Sequence, residues 1–263
     1  MRYQVDHDFH IHSRLSYCSK SDEQTKDNIL QYAVDNGWST IIITDHFWDV
    51  NLPNQKNFYK GQDLAHVSSI LPLPQHEKVR FLFGCETDMD TNNLIGITPE
   101  NYDKFDFIIV PTTHFHMFVD PETSIEDRAK IYAEKFRAVL DSSLPFEKVG
   151  IAHLTCSLMA SSWEDHLAVL DLVSDETFKE LFTRSAELRI GIELNFPVFK
   201  YGPEDLERVL RPYRLAKECG CKFYFGSDAH IPSEFLNMKE RFERIVDLLN
   251  LTEDDKFHLP QDK

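Results

Sequence analysis

The chain has 263 residues, 42% of them hydrophobic and 12% aromatic, enough to bury a core and within the size range of one α/β barrel domain, expected to span residues 1–263. Its 28 Lys+Arg stand against 44 Asp+Glu, a net charge of −16, which repels polyanions and excludes long nucleic acid as the expected partner. The five cysteines form no disulfide framework, no apolar run approaches the ~20 residues of a membrane helix, and the first residues show no secretory pattern, so a soluble cytoplasmic protein with no membrane partner is expected.

In chain order, β-branched and aromatic content gives strand character to 3–9, 39–44, 79–85, 106–111, 148–152, 189–194 and 222–226. Helical patterns lie between them. One begins at Thr25, carries Ile29, Leu30, Tyr32 and Ala33, and stops at Gly37, a residue suited to the left-handed conformation that ends helices. The segment 47–78, with prolines at 53, 72 and 74, reads as a long loop holding one short helix near 62–71. Ser124 opens another helix, with Glu126 and Asp127 in the first turn and Ile125, Ala129, Tyr132, Phe136 and Val139 along one face. Further helices are read over 176–188 and over 204–219, the latter with Pro212 as the place where it would kink. Strand and helix alternate throughout, which argues for parallel strands joined by right-handed crossovers, in a barrel or an open sheet.

Histidines mark the ends of these strands. The clusters D-F-H-I-H at 8–12, T-D-H at 44–46, T-T-H-F-H at 112–116, I-A-H at 151–153 and S-D-A-H at 227–230 each follow an apolar run, and Glu86 follows another. In a parallel α/β fold the carboxyl ends of the strands share one face, where functional groups gather. Imidazoles and carboxylates converging there suit two or three adjacent cations of the kind that handle phosphate oxygens, and neutral imidazoles suit Zn, Mn or Fe. Residues i and i+2 of a strand share a face, so His10 and His12 can grip one ion.

The series H-x-H, T-D-H, an isolated G-x-E, T-x-H, A-H-L and S-D-A-H resembles the polymerase and histidinol phosphatase (PHP) family, from Asp8 to His230. The resemblance implies a distorted seven-stranded (β/α)7 barrel, TIM-like, with two or three divalent metal ions. It implies that His10, His12, Glu86 and Asp228 hold the first metal, that Glu86 bridges to a second held by His114 and His153, and that His46 and His230 contribute to a third. His230, His46 or a metal-bound water is the candidate proton carrier. Family members with three metals often carry a further histidine eight residues after the first of the H-x-H pair. The ungapped position here is Cys18, either a replacement ligand, since thiolate binds zinc or iron, or a bystander thiol. His116 is a candidate for a substrate or metal contact or for local hydrogen bonding, whereas His7, His66, His76, His166 and His258 match no motif and read as solvated or capping residues.

The activity this implies is hydrolysis of a phosphomonoester by a metal-activated hydroxide, on a small phosphorylated metabolite, with histidinol phosphate as the named candidate. Arg14 and Lys200 are the candidate phosphate anchors, Lys200 lying after the E-L-N at 193–195 where histidinol phosphatases carry a downstream arginine. Thr155, Cys156 and Ser157 follow the A-H-L where those enzymes show aspartate and basic residues, which weakens the histidinol phosphate assignment more than the phosphoesterase one. The alternatives are a phosphodiesterase or nuclease acting on nucleotides or short ends, and a non-catalytic metal-binding module. Substrate, metal identity and oligomeric state are not set by these patterns.

Overall fold

In the computed structural model, which describes residues 1–260, seven parallel strands follow one another around the sheet in chain order. They are β1 His7–Ile11, β2 Thr40–Ile43, β3 Arg80–Glu86, β4 Phe107–Pro111, β5 Val149–Ala152, β6 Gly191–Leu194 and β7 Lys222–Phe225. The expected α/β barrel is the fold observed, and six of the strands lie within two residues of the ranges read from sequence.

The first strand is the exception. It starts at His7, because Arg2 and Tyr3 pair instead with the C-terminal segment, Tyr3 donating its amide to the Leu251 carbonyl at 3.1 Å. The closure between β7 and β1 is also unusual. His7 Nε2 accepts the Phe225 amide at 3.0 Å and Asp8 Oδ1 accepts the Ser227 amide at 2.9 Å, so side chains stand where a ladder would run. Backbone bonds then finish the ring, from Asp228 N to His10 O (2.8 Å) and from His12 N to Ala229 O (3.0 Å). The register of β1 with β2 shifts between Asp8 and Ile11, and the barrel is accordingly distorted. His7, expected as a solvated or capping residue, is buried and forms part of the wall.

Helices cover the outside. In chain order they are α1 Lys26–Asn36, α2 Leu64–Ser68, α3 Pro99–Tyr102, α4 Phe115–Phe118, α5 Ile125–Leu140, α6 Trp163–Leu172, α7 Asp175–Leu188, α8 Pro203–Glu218 and α9 Met238–Leu249. Thr25, Ser124, Ser162 and Ser174 each cap a helix by accepting an amide of its first turn, and Gly37 ends α1 at φ 70°. The helix α8 runs through Pro212. The sequence reading passed over α6 and α9, although Met238, Phe242, Ile245, Val246 and Leu249 recur at helical spacing and are buried. Between β2 and β3 the long segment holds only α2 and a 3-10 turn, Asn57–Tyr59.

The barrel interior is filled by Phe9, Ile42, Phe107, Ile109, Ala152 and Tyr224, and the C-terminal Phe257 and Leu259 pack against them. That packing leaves the opposite end, where the strands finish, as the open one. Among the described residues no helix is long and apolar enough to cross a membrane.

Candidate metal centre

The strand ends bring the polar residues together. His10 lies within β1 and His12 one residue beyond it, Glu86 ends β3, Glu193 lies within β6, and His46, His114, His153 and Asp228 stand one to three residues past their strands. His153 and Asp228 hold left-handed backbone, φ 58° and 56°. That conformation costs a residue with a Cβ about 1–2 kcal/mol.

Glu86 is the centre of the group. Its carboxylate is buried, with Oε2 at 3.0 Å from His46 Nδ1, 3.3 Å from His12 Nε2 and 3.6 Å from His10 Nε2, and Oε1 at 3.3 Å from His153 Nε2. Asp228 lies across from it, with Oδ1 at 3.1 Å from His12 Nε2 and 3.4 Å from His10 Nε2, and Oδ2 at 3.7 Å from His153 Nε2. Yet neither Glu86 oxygen, nor His46 Nδ1, has a hydrogen-bond partner. Buried carboxylate oxygens ringed by nitrogens that do not bond to them fit a shared cation, since buried polar atoms are otherwise satisfied. Burial would raise the Glu86 carboxyl, but the imidazoles of His46 and His10 outweigh it and hold it well below the usual range. Asp228 is likewise held low against its burial by His153 and His10. His114 is raised to about 9, where burial is overcome by Asp88.

The far side of each ring is fixed by hydrogen bonding. His10 Nδ1 meets Glu193 Oε1 at 2.6 Å and His114 Nδ1 meets Asp88 Oδ2 at 3.0 Å. His12 Nδ1 meets Ser16 Oγ at 2.9 Å, and Ser16 gives its own proton to Asp45 Oδ1 at 2.6 Å. A carboxylate only accepts, so in each neutral ring Nδ1 carries the proton and Nε2 presents its lone pair inward. His230 is set the same way, by the Asp228 carbonyl at 2.8 Å from Nδ1.

Four combinations bring one ligand atom per residue within 4.8 Å of one another: His10, His12 and Glu86; Glu86, His114 and His153; His10, His153 and Glu193; and His12, Cys18, His46 and His230. All the residues read from sequence as ligands but Asp228 fall in these groups, Asp228 facing His12, His10 and His153 at 3.1–3.7 Å, and Cys18 sits beside His46 and His230. Glu193 was missed as a ligand-orienting group. The E-L-N containing it stood out only as a landmark for a phosphate anchor, because a carboxylate inside an apolar strand announces no partner. Only glycine fits at 226, since a Cβ there would run into Glu193 Oε1 and His10 Cβ.

The two proposed anchors are placed elsewhere. Arg14 is exposed and lines a separate cleft with Gln24, Thr25 and Lys26, and Lys200 is exposed and absent from the lining of the central cavity. Spacing along a loop did not indicate the direction in which either side chain leaves it. The cation near the E-L-N is Arg241 of α9, which donates to Asn195 Oδ1 at 2.5 Å and to the Phe196 carbonyl at 3.1 Å, outside that cavity. The cavity above the cluster holds about 390 Å³, and His116 and Cys18 are on its lining. His166 is buried with neither ring nitrogen partnered, contrary to the solvated or capping role expected of it.

No curated protein matches the chain. Among solved structures it is similar to histidinol phosphate phosphatase (HISK) from Lactococcus lactis subsp. lactis Il1403, complexed with zinc, L-histidinol and phosphate, at 14% identity and TM-score 0.60 over 96% of this chain and 98% of that one. A probable 2-pyrone-4,6-dicarboxylic acid hydrolase from Acinetobacter baumannii, with citric acid bound, aligns at 13% identity and TM-score 0.49 over 97% and 96%. At such identities the first likeness is one of fold. The PHP domain model matches residues 8–197, a span that holds the H-x-H pair, Glu86, His114, His153 and Glu193. The chain belongs to the PHP domain family.

Proposed function

We propose that this protein is a metal-dependent phosphomonoesterase acting on a small phosphorylated metabolite. The observation that carries the reading is Glu86, a fully buried carboxylate with both oxygens unpartnered and imidazole nitrogens around it at 3.0–3.6 Å. Membership of the PHP family carries the hydrolase class with it. His10, His12, Glu86 and Asp228 would hold one divalent ion, Glu86, His114 and His153 a second, and His46 and His230 a third. Bound there, zinc, manganese or iron ions would acidify water near neutral pH and offset phosphate charge.

The protein's own residues supply the rest. Glu193, Asp88 and the Ser16–Asp45 pair hold the rings of His10, His114 and His12 with Nε2 inward. His230 and His46 face the cavity, and where no ion takes its Nε2, the neutral His230 ring would exchange a proton with the departing oxygen there. Burial and the neighbouring His12 lower His230 to about 3, which keeps its ring neutral near pH 7. With neither Arg14 nor Lys200 on the cavity lining, phosphate would be held by the ions and the imidazoles. Five unpaired cysteines agree with the reducing cytoplasm expected of it.

The test is hydrolysis of an aryl phosphate by metal-analysed protein, run beside the matching diester. Monoester turnover that a chelator abolishes and zinc or manganese restores is the expected result. Preference for the diester would move the reading to a phosphodiesterase, and metal binding without turnover of either would leave a binding module.

A further inference from the structure

The cavity has an apolar wall. Phe58 comes from the 3-10 turn before α2, Met117 from α4 and Leu158 from the turn after β5, and the three line the space above the ion-facing groups. Phe58 and Met117 are half-buried, and Leu158 is 40% exposed. Phe58 is fixed in place by an edge-to-face contact with the His46 ring, 4.9 Å between centroids.

The charges on the lining are confined to the floor. Among the described residues the lining contains no lysine or arginine, and its only carboxylates are Glu86 and Asp228, both already facing imidazoles. A ligand group seated on Phe58, Met117 and Leu158 therefore finds no counter-ion for an ammonium and none for a carboxylate. An unpaired charge desolvated on such a wall is costly, whereas apolar surface gains by leaving water.

We infer that the leaving group of the phosphoester is an uncharged aromatic or alkyl alcohol, seated against Phe58, Met117 and Leu158. The inference rests on the phosphomonoesterase reading and names its substrate class. Water adds to phosphorus, the bond from phosphorus to the ester oxygen breaks, and the departing oxygen takes a proton to leave as the neutral alcohol, with inorganic phosphate as the other product. An ester whose alcohol carries an ammonium, as histidinol phosphate does, is then a poor substrate.

The test compares 2-phenylethyl phosphate with 2-aminoethyl phosphate, two primary alkyl esters, on zinc-loaded protein. The phenylethyl ester is expected to have at least about a tenfold higher kcat/KM, the discrimination typical of an apolar pocket. Leu158→Asp puts a carboxylate on the wall at an exposed position, and should lower that ratio at least about tenfold through KM. Met117→Ala should raise KM for the phenylethyl ester more than for the aminoethyl one. Turnover of both with the aminoethyl ester equal or preferred overturns the inference alone. Turnover of neither, on protein with its metal content verified, overturns the phosphomonoesterase reading and this inference together.

Discussion

Glu193 Oε1 lies 2.6 Å from His10 Nδ1, while Oε2 of the same carboxylate accepts the His153 amide at 2.9 Å. One buried side chain from β6 thereby orients an imidazole from β1 and fixes the backbone after β5. Glu193→Gln removes the charge that makes His10 Nε2 a strong donor. Zinc affinity is expected to fall about 10–100-fold with the fold intact, read by competition with a chromophoric chelator. Unchanged affinity would show that the pair has no part in metal binding.

Asp228 and His12 are ligand candidates above the core rather than parts of it. Asp228→Asn is a better probe than alanine, because asparagine tolerates the left-handed backbone at φ 56°. At matched metal content, Asp228→Asn and His12→Ala should each lower turnover at least about a hundredfold. The urea midpoints of the chelated proteins should shift by no more than about 2 kcal/mol equivalent. Near-normal turnover in either variant would remove that residue from the site.

Cys18 groups with His12, His46 and His230, all within 4.8 Å by their ligand atoms, but His12 Nε2 already faces Glu86 and Asp228. Burial raises the free Cys18 thiol, so only a bound cation would make it a thiolate near neutral pH. Cobalt-substituted protein should show a sulfur-to-cobalt charge-transfer band that Cys18→Ser abolishes, with metal content falling by about one ion per chain. Added phosphate should raise occupancy at this position more than at the other two. Equal metal content in both proteins and no such band would identify Cys18 as a bystander.

Asp8 gives the barrel closure a pH dependence. Burial raises its carboxyl to about 6, against hydrogen bonds from Ser227, Tyr32 and His10 that lower it. The unfolded chain titrates near ~3.9, so between the two values the folded protein holds the extra proton. Stability from this residue is therefore greatest at acid pH and declines by about 3 kcal/mol as pH rises from about 4 through about 6. Asp8→Asn should flatten that part of a Tm-against-pH curve and raise Tm at pH 7.5 relative to the parent. A parallel curve in the variant would show that Asp8 ionises normally in the barrel wall.

The sequence by itself determined the alternation of parallel strands with helices and the position of most of the chemistry, and the PHP resemblance chose the barrel over an open sheet. Strands of short β-branched runs alternate with amphipathic helices at fixed periods, and a histidine or carboxylate at the end of a parallel strand has only one face on which to emerge. Hence His10, Glu86, His153 and Asp228 could be read from their places at strand ends as sharing one face, while their grouping around particular ions came from the PHP resemblance.

Tertiary structure decided the relationships between residues far apart in the chain. Glu193 orients His10 because a glycine at 226 leaves room for the pair, and His7 and Asp8 close the barrel because β7 lacks a ladder partner on that side. That Arg14 and Lys200 are absent from the lining of the central cavity was likewise not legible in the sequence. The apolar wall of Phe58, Met117 and Leu158 draws on three separate segments that follow β2, β4 and β5. Periodicity reports which face of an element is buried, but which loops meet over a barrel mouth depends on how the chain closes around it.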